Sequence, residues 1–570
     1  MDHGIFFFSV VKIQIRNLIV FSPDDTNTPC SVSDQLDEMR SIIDRDIARL
    51  EKSIRGPEDS IRSLEDSIRA LKSRRNDLSS TSRLPAEILC NIFSLSILSS
   101  PGHPESWTNF SQVSQRWRLL ALSAPELWTN IPVSYPRWTQ EMLIRSKMAK
   151  LTILSNSFET PKPKTMEAIR SCLYEMNRVE AIHIACGIPG LEEIFRDLPK
   201  SAPQLRTLRI GSYWPRSSTA FSIHKDFLYD TERLQRVELI NCKIDWDSRL
   251  LTGLTCLILE LDDSLKANSS INQFLHALQR MPALIELRLK DSIPDDSEDP
   301  STYPDVDLPC LRVLDISSGV SALTVVLRHI TIPHSAILNL TCKEKQSTQI
   351  DFSNFLSVLS TKFLSSLVLR RLTLRGSGNF DNTAADCFVF YFWTTAAIRD
   401  YLPYSQSQVR LVLTWPPSPQ HRHAKALTCF FGAMSLPFLT QLHISTFRYI
   451  DSQTWVKTFG TLPLLERVCV QGFATKSFLE ALVYKTKAAE KSIIAYRDVS
   501  FPKLRYIYLK DTHVGTRRLG SVSLDMLLDC LMERCERNAE VPVLRLDGCH
   551  YVSSDNVARL KEIVVDVIRV

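Results

Sequence analysis

Glycine is scarce in this sequence, with 16 among 570 residues. That is about 3%, whereas soluble proteins average about 7%. Loops that hold nucleotide phosphates depend on glycine, because the backbone must come close to the phosphate oxygens. The scarcity of glycine therefore argues against a nucleotide-binding enzyme.

Catalytic motifs are also missing from the sequence. It contains no G-x-S-x-G, no H-E-x-x-H and no G-x-x-x-x-G-K-[ST] pattern, which mark esterases, zinc proteases and phosphate-binding loops respectively. Pairs of catalytic carboxylates cannot be chosen from a sequence without geometry. We therefore predict that the protein is not an enzyme and uses no cofactor and no metal ion.

The chain also lacks paired cysteines, long apolar runs and a strong net charge. None of its 14 cysteines forms a C-x-x-C pair, which favours reduced, buried thiols and a cytoplasmic or nuclear location. The apolar run at residues 4–11 is shorter than the roughly 18 residues of a membrane span. The net charge is only +5. We therefore expect no membrane and no nucleic-acid partner.

A heptad pattern fills residues 33–80, after a segment at 1–32 that we expect to be unstructured or an accessory tail. The apolar positions form two lines with a spacing of seven: Ile47, Ile54, Ile61 and Ile68, and Leu36, Ile43, Leu50, Leu64, Leu71 and Leu78. Isoleucine on one line and leucine on the other is typical of a two-stranded coiled coil. Proline breaks helices, so Gly56-Pro57 predicts an interruption there. A helical hairpin within one chain and self-association between chains both remain open.

Three motifs follow the heptads and predict a small all-helical domain at 82–135. "LPAEILCNIF" has Pro85 as its second residue, which suits the first turn of a helix. "VSQRWRLLA" continues the pattern with Val113 and Trp117 four residues apart, and "PELW" adds a short third turn. So small a core is marginally stable alone, so we expect it to pack against a neighbour.

In order and spacing, these motifs resemble the F-box, in the form common among fungal F-box-like proteins. In that family this region contacts the Skp1 adaptor of cullin–RING ubiquitin ligases. Two departures are that Ser114 stands where the family often has cysteine, and that the loop between the two helices is longer. Carried over by position, the resemblance implies contact between a Skp1-like adaptor and Leu84, Pro85, Glu87, Ile88, Leu89, Ile92 and Phe93. It further implies that Val113 and Trp117 either hold the helices together or line the same surface.

Residues 140–565 show a repeated pattern, apolar-x-x-apolar-x-apolar, which is the strand part of a leucine-rich repeat. Its copies begin at Met148, Val179, Leu205, Leu234, Leu254, Leu284, Leu311, Leu364, Leu439, Leu465, Leu504 and Val541, with weaker copies at Ser335 and Gln408. Near-regular spacing and a proline before many copies favour repeats over unrelated strands. We predict an α/β solenoid, a leucine-rich repeat horseshoe, with an irregular insertion at about 375–435.

The interpretation of the whole chain is a substrate-receptor subunit of an SCF-type (Skp1–cullin–F-box) ubiquitin ligase. It would bind a target protein through polar side chains that alternate with buried ones in the strands. The candidates are Arg206, Arg209, Glu286, Arg288, Arg312, Asp315, Gln441, His443, Arg505 and Tyr508. The alternative is a scaffold without ligase function, in which the F-box-like helices only cap the repeats.

Overall fold

The structure is a computed structural model. It describes residues 30–52, 58–99, 109–156, 160–196, 201–212, 220–262, 265, 270–294, 303–344, 351–377, 386–395, 407–416, 421–446, 450–483, 499–512, 522–550 and 552–570. The predicted tail up to residue 29 and the predicted interruption at Gly56-Pro57 lie outside the described residues, as do parts of the predicted insertion.

The chain divides into two compact units. The first comprises Met1–Leu208 with Asp230–Arg233, and the second comprises Arg209–Tyr229 with Leu234–Val570. Each unit has its own elements and core.

The first unit begins with two helices, α1 (Cys30–Lys52) and α2 (Glu58–Asp77). They pack on each other through the heptad positions, with Ile43, Ile47 and Ile68 buried and Leu50, Leu71 and Leu78 against them. Ion pairs join Lys72 to Glu51 at 2.8 Å and Arg75 to Asp44 at 3.1 Å. The residue nearer the end of α2, Arg75, pairs with the residue nearer the start of α1, Asp44. The two helices are therefore antiparallel. The heptads therefore form a hairpin within one chain, the first of the two open alternatives.

A helical region and a small parallel sheet complete the first unit. The helical region has a 3-10 turn (Ser80–Arg83), α3 (Ala86–Ser99), α4 (Gln115–Ser123) and a second 3-10 turn (Pro125–Trp128). The strands β1 (Asn130–Pro132), β2 (Leu151–Asn156) and β3 (Val179–Cys186) pair in parallel. The connecting helices are α5 (Pro136–Arg145), α6 (Pro163–Leu173), a 3-10 turn (Met176–Arg178) and α7 (Ile188–Arg196).

The second unit alternates strands and helices. After β4 (Thr207–Ser212), which contains the boundary between the units, its strands are β5 (Phe221–Ile223), β6 (Arg236–Ile240), β7 (Cys242–Ile244), β8 (Cys256–Glu260), β9 (Glu286–Lys290), β10 (Val306–Asp307), β11 (Val313–Gly319), β12 (Ile330–Thr331), β13 (Ile337–Lys343), β14 (Arg371–Ser377), β15 (Asp386–Trp393), β16 (Val409–Trp415), β17 (Gln441–Thr446), β18 (Arg467–Gln471), β19 (Tyr506–Lys510), β20 (Val543–Asp547) and β21 (Asp566–Arg569). Its helices are α8 (Ile271–Gln279), α9 (Val320–His329), α10 (Ser353–Val358), α11 (His421–Ala433), α12 (Ser452–Trp455), α13 (Ala474–Leu482), α14 (Leu524–Glu536) and α15 (Ser554–Lys561), with π-helical turns at Leu359–Leu364 and Val456–Gly460.

Most strands of the second unit join one large, mainly parallel sheet. Its order is β6-β8-β9-β11-β13-β16-β15-β14-β17-β18-β19-β20-β21. Strand β15 alone runs antiparallel to its neighbours β14 and β16. It lies in the segment where the repeat spacing fails, so the described part of the predicted insertion contributes strands to the sheet.

The apolar pattern and the strands coincide at every copy but one. In each coinciding copy the second and third apolar residues are strand residues that face the core, as Leu287 and Leu289 do in β9. The exception is the copy at Leu364, which lies in the π-helical turn before β14. An overlapping copy supplies this strand instead, with Leu369, Leu372 and Leu374 all buried.

Candidate functional site

The helices α3 and α4 are held together by a small aromatic core. Phe93 of α3 is only 1% exposed. Its ring stacks on Phe110 at 4.6 Å between centroids and tilts against Trp117 of α4 at 5.0 Å. The indole N–H of Trp128 donates to the carbonyl of Ala121 at 2.7 Å, tying the second 3-10 turn to α4. Aromatic contacts of this kind fix the angle between short helices that bury little else.

Two polar side chains set the start of each helix. The hydroxyl of Ser114 accepts a hydrogen bond from the amide N–H of Trp117 at 3.2 Å and so caps the N-terminus of α4. The guanidinium of Arg116 donates to the carbonyl of Ser82 and, at 2.7 Å, to that of Leu84. These bonds hold the extended segment before α3 against α4. In the sequence, the position of Arg116 beside Trp117 in "QRW" was the only sign that Arg116 would link the two helices.

Each of the two helices exposes large apolar side chains. On α3, Ile88 is 40% exposed and Leu95 is 51% exposed. These two are seven residues apart and therefore lie on one stripe of the helix, two turns from each other. On α4, Leu119 and Leu122 are also exposed. Four exposed large aliphatic side chains in so short a region are typical of an interaction surface.

Residues 81–132 match the family model described as F-box-like. This region is an F-box-like domain. The match ends before β2, so it covers this region alone. No curated protein matches the chain.

The predicted adaptor contacts of the F-box-like domain divide into two groups. Pro85, Glu87 and Ile88 are exposed, and Leu84 is half-buried. Leu89, Ile92, Phe93 and Trp117 lie in the core, and Val113 is half-buried. The buried group packs within the chain and supports the exposed group. Leu95, Leu119 and Leu122 are exposed residues that the sequence reasoning missed, although the spacing of seven from Ile88 to Leu95 was a usable signal.

The second candidate surface is the polar face of the large sheet in the second unit. We define it as the strand positions that alternate with the buried leucines, isoleucines and valines. Because the strands are parallel and in register, equivalent positions are neighbours. Arg288 of β9 lies beside Asp315 of β11, which lies beside Asn339 of β13. The predicted target-binding residues Arg209, Glu286, Arg288, Asp315, Gln441, His443 and Tyr508 all lie on this face.

Three predicted target-binding residues lie elsewhere. Arg206, Arg312 and Arg505 each precede a strand by one residue and do not alternate within it. Each strand starts at the third position of the apolar pattern, whereas these arginines occupy the second position. The alternation of buried and polar residues within a strand therefore does not include them. Arg206 is paired with Glu180 in the first unit at 3.2 Å.

At the β6–β11 end of the sheet, opposite charges on the polar face neutralise one another. Glu286 receives the guanidinium of Arg236 at 3.3 Å and that of Arg288 at 2.5 Å. Glu238 is 3.2 Å from Arg209. Burial opposes the ionisation of Glu286, but hydrogen bonds from Cys256 and Arg288 outweigh it and lower its pKa. This end of the face therefore carries little net charge.

The β14–β20 end of the face combines cations with aromatic rings. Arg467 lies over the ring of Tyr506 at 4.1 Å, Arg371 lies over Trp393 at 5.1 Å and Arg545 lies over Tyr508 at 4.8 Å. The phenol of Tyr508 donates to Asp547 at 2.6 Å. The sequence reasoning missed Arg371, because the copy at Leu364 placed the strand too early.

Within the described part of the chain, no group of three or more histidine, cysteine, aspartate or glutamate side chains could hold a metal ion. The buried thiols are protonated, because burial raises the pKa of Cys172, Cys186 and Cys256 to about 12. In the same described residues, no helix is both long and apolar enough to cross a membrane.

Proposed function

We propose that this protein is the substrate-receptor subunit of an SCF-type ubiquitin ligase. The F-box-like domain at 81–132 carries this proposal, because F-box domains generally bind Skp1-type adaptors. The adaptor would cover the half-buried Leu84 and the exposed residues Pro85, Glu87, Ile88 and Leu95. Neither unit would perform bond chemistry. Their contribution would be to hold a target near an enzyme recruited elsewhere in the complex.

The geometry of the F-box-like domain supports adaptor binding in two ways. Ile88 and Leu95 expose apolar surface that a partner can remove from water, which is favourable by about 25 cal/mol for each Å² buried. The segment around Leu84 and Pro85 is held in place by Arg116 before any partner arrives. A surface ordered in advance loses less conformational entropy on binding.

We infer that the second unit is built of leucine-rich repeats and offers its polar face to the target. The apolar pattern coincides with the strands, and helices α9 and α13 pack against them on the buried side. The polar face then presents a row of side chains from successive repeats. Such a row can select a partner by charge and by hydrogen bonding.

The test is capture of a Skp1-like adaptor by the full chain when the two are co-expressed. We expect the wild type to form a stable complex. Ile88→Asp should weaken capture by about tenfold or more, since burying a charged group in an apolar interface is costly. Met148→Asp is the matched control, because Met148 is exposed and apolar in the same unit but outside the F-box-like domain. Absence of capture by the wild type would refute the proposal, and full capture by Ile88→Asp would refute the assigned face.

A further inference from the structure

We propose that the polar face formed by β14, β17, β18 and β19 binds an acidic segment of a target protein. Within their paired stretches each of these strands contributes three positions, twelve in all. Four of them are the cations Arg371, Arg375, Arg467 and Lys510, which we call the basic patch, and none is acidic. Arg371 is buried, at 5% exposed, so a partner would meet the other three cations. The inference that the ligand is a ligase target rests on the proposed function. The inference that the ligand is acidic rests on the charges of this face alone.

The same sheet provides the contrast that makes the basic patch distinctive. At β6–β11 the polar face carries Glu238, Glu260, Glu286 and Asp315 against a similar number of cations. Arg236 and Arg288 both contact Glu286 there. Positive and negative charges are therefore nearly balanced at β6–β11, whereas cations are in excess at β14, β17, β18 and β19. An opposite charge on a partner would orient its approach to that part.

His443 lies in the middle of the basic patch and reports its charge. The residue is in register between Thr373 of β14 and Cys469 of β18. Burial, together with the positive charges of Arg371, Lys510 and Arg375, lowers the pKa of His443 to about 4. The buried Nε2 of His443 and Oγ1 of Thr373 have no hydrogen-bond partner within the described part of the protein. The centre of the patch thus favours an anion and has polar atoms that the protein leaves unsatisfied.

Two arginines of the patch are held in position by aromatic rings. Arg467 stacks on Tyr506 and Arg371 stacks on Trp393. A guanidinium over a ring keeps N–H groups that a carboxylate can accept in pairs. Fixed arginines lose less side-chain entropy when they bind. The geometry favours carboxylates, the side chains of aspartate and glutamate.

The observations favour an acidic peptide over a nucleic acid. Single-stranded nucleic acids bind by stacking bases on accessible aromatic rings. Here the guanidiniums of Arg371 and Arg545 already lie over Trp393 and Tyr508, which are only 2% and 8% exposed. The face therefore offers charge and hydrogen bonds without a stacking platform.

Two carboxylates bound the patch at the ends of the strands. Asp547 of β20 is held by the phenol of Tyr508 at 2.6 Å. Asp511, in the turn after β19, accepts a hydrogen bond from the amide of Gln471 at 2.7 Å. These carboxylates mark where the patch ends toward β20, and an acidic segment would lie across β14, β17, β18 and β19 between Arg375 and Lys510.

The experiment measures the fluorescence anisotropy of a fluorescein-labelled decaglutamate peptide titrated with the full chain at about 50 mM salt, where charge interactions are weakly screened. We expect binding that weakens at higher salt. Arg375→Gln combined with Lys510→Gln should weaken it by about tenfold. The matched control is Arg288→Gln combined with Lys290→Gln, which removes the same charge from the polar face of β9 and should change affinity by less than about twofold.

Three results would overturn the inference. The first is that the wild type does not bind the peptide, and the second is that the control variant loses as much affinity as the patch variant. The third is that an oligothymidine of similar length binds as tightly as the peptide and depends equally on Arg375 and Lys510. Circular dichroism of both double variants should show wild-type melting, so that loss of binding is not loss of fold. Adaptor capture by the patch variant should be normal, which separates failure of this inference from failure of the proposed function.

Discussion

Arg116 links the two helices of the F-box-like domain, so its removal tests how the exposed face is positioned. Replacement by methionine keeps the aliphatic stem but removes the donors to the carbonyls of Ser82 and Leu84. A hydrogen bond from a charged donor contributes about 1.5–3 kcal/mol. Arg116 is half-buried, so water would compensate part of the loss. We expect a net local loss of about 2 kcal/mol, or roughly a 30-fold fall in protection from hydrogen exchange.

Hydrogen exchange followed by mass spectrometry measures this effect on peptides that cover residues 79–99. Faster exchange should appear first at the start of α3, where the amide of Leu89 donates to the carbonyl of Pro85. Arg118→Met is the matched control, since Arg118 is exposed on the same helix and should leave exchange unchanged. Identical exchange in wild type and Arg116→Met would refute the idea that Arg116 holds this segment, as would an equal effect of Arg118→Met.

Three further predictions concern the second unit. Arg534→Met should cost about 3–5 kcal/mol in urea unfolding, because buried Arg534 donates to three backbone carbonyls, whereas exposed Arg559→Met should cost under about 0.5 kcal/mol. When the pH falls from 7 to 5, the wild type should lose about 2 kcal/mol more free energy of unfolding than His443→Gln. The pKa of His443 is about 4 in the folded protein and 6.5 ordinarily, so protons bind preferentially to the unfolded chain. Gly548→Ala should lower the melting temperature, because Gly548 has φ +59° and an added Cβ would clash with the carboxylate of Asp511. An unchanged value in any of these three measurements would contradict the corresponding argument.

Much of the strand layout follows from local pattern. In the apolar-x-x-apolar-x-apolar pattern, the last two apolar residues are separated by one residue, so both lie on the same face of a strand. That face packs against the core whichever strands lie next to it. This is why Leu287 and Leu289 could be assigned before any contact was known. The same pattern gave a wrong register near Leu364, where two overlapping copies compete. Only packing showed that Leu372 and Leu374 belong to the strand, while Leu364 lies in a turn of helix.

The helices of the F-box-like domain show a similar division. The spacing of Ile88, Leu89, Ile92 and Phe93 predicted one broad apolar face on α3. The spacing alone does not predict which part of that face other residues of the chain cover. The rings of Phe110 and Trp117 cover Phe93 and leave Ile88 outside. The adaptor-binding residues therefore remain a prediction that the structure has narrowed to the exposed members.

The sequence by itself determined that α1 and α2 are amphipathic, that a short helical domain follows them and that strands recur in near-regular steps, because each of these depends on the spacing of nearby residues. The tertiary structure decided that the heptads close into a hairpin. It also decided where charge gathers, since Arg371, Arg467 and Lys510 come from three strands far apart in the chain. Only the parallel register of the sheet brings those cations to one face around His443.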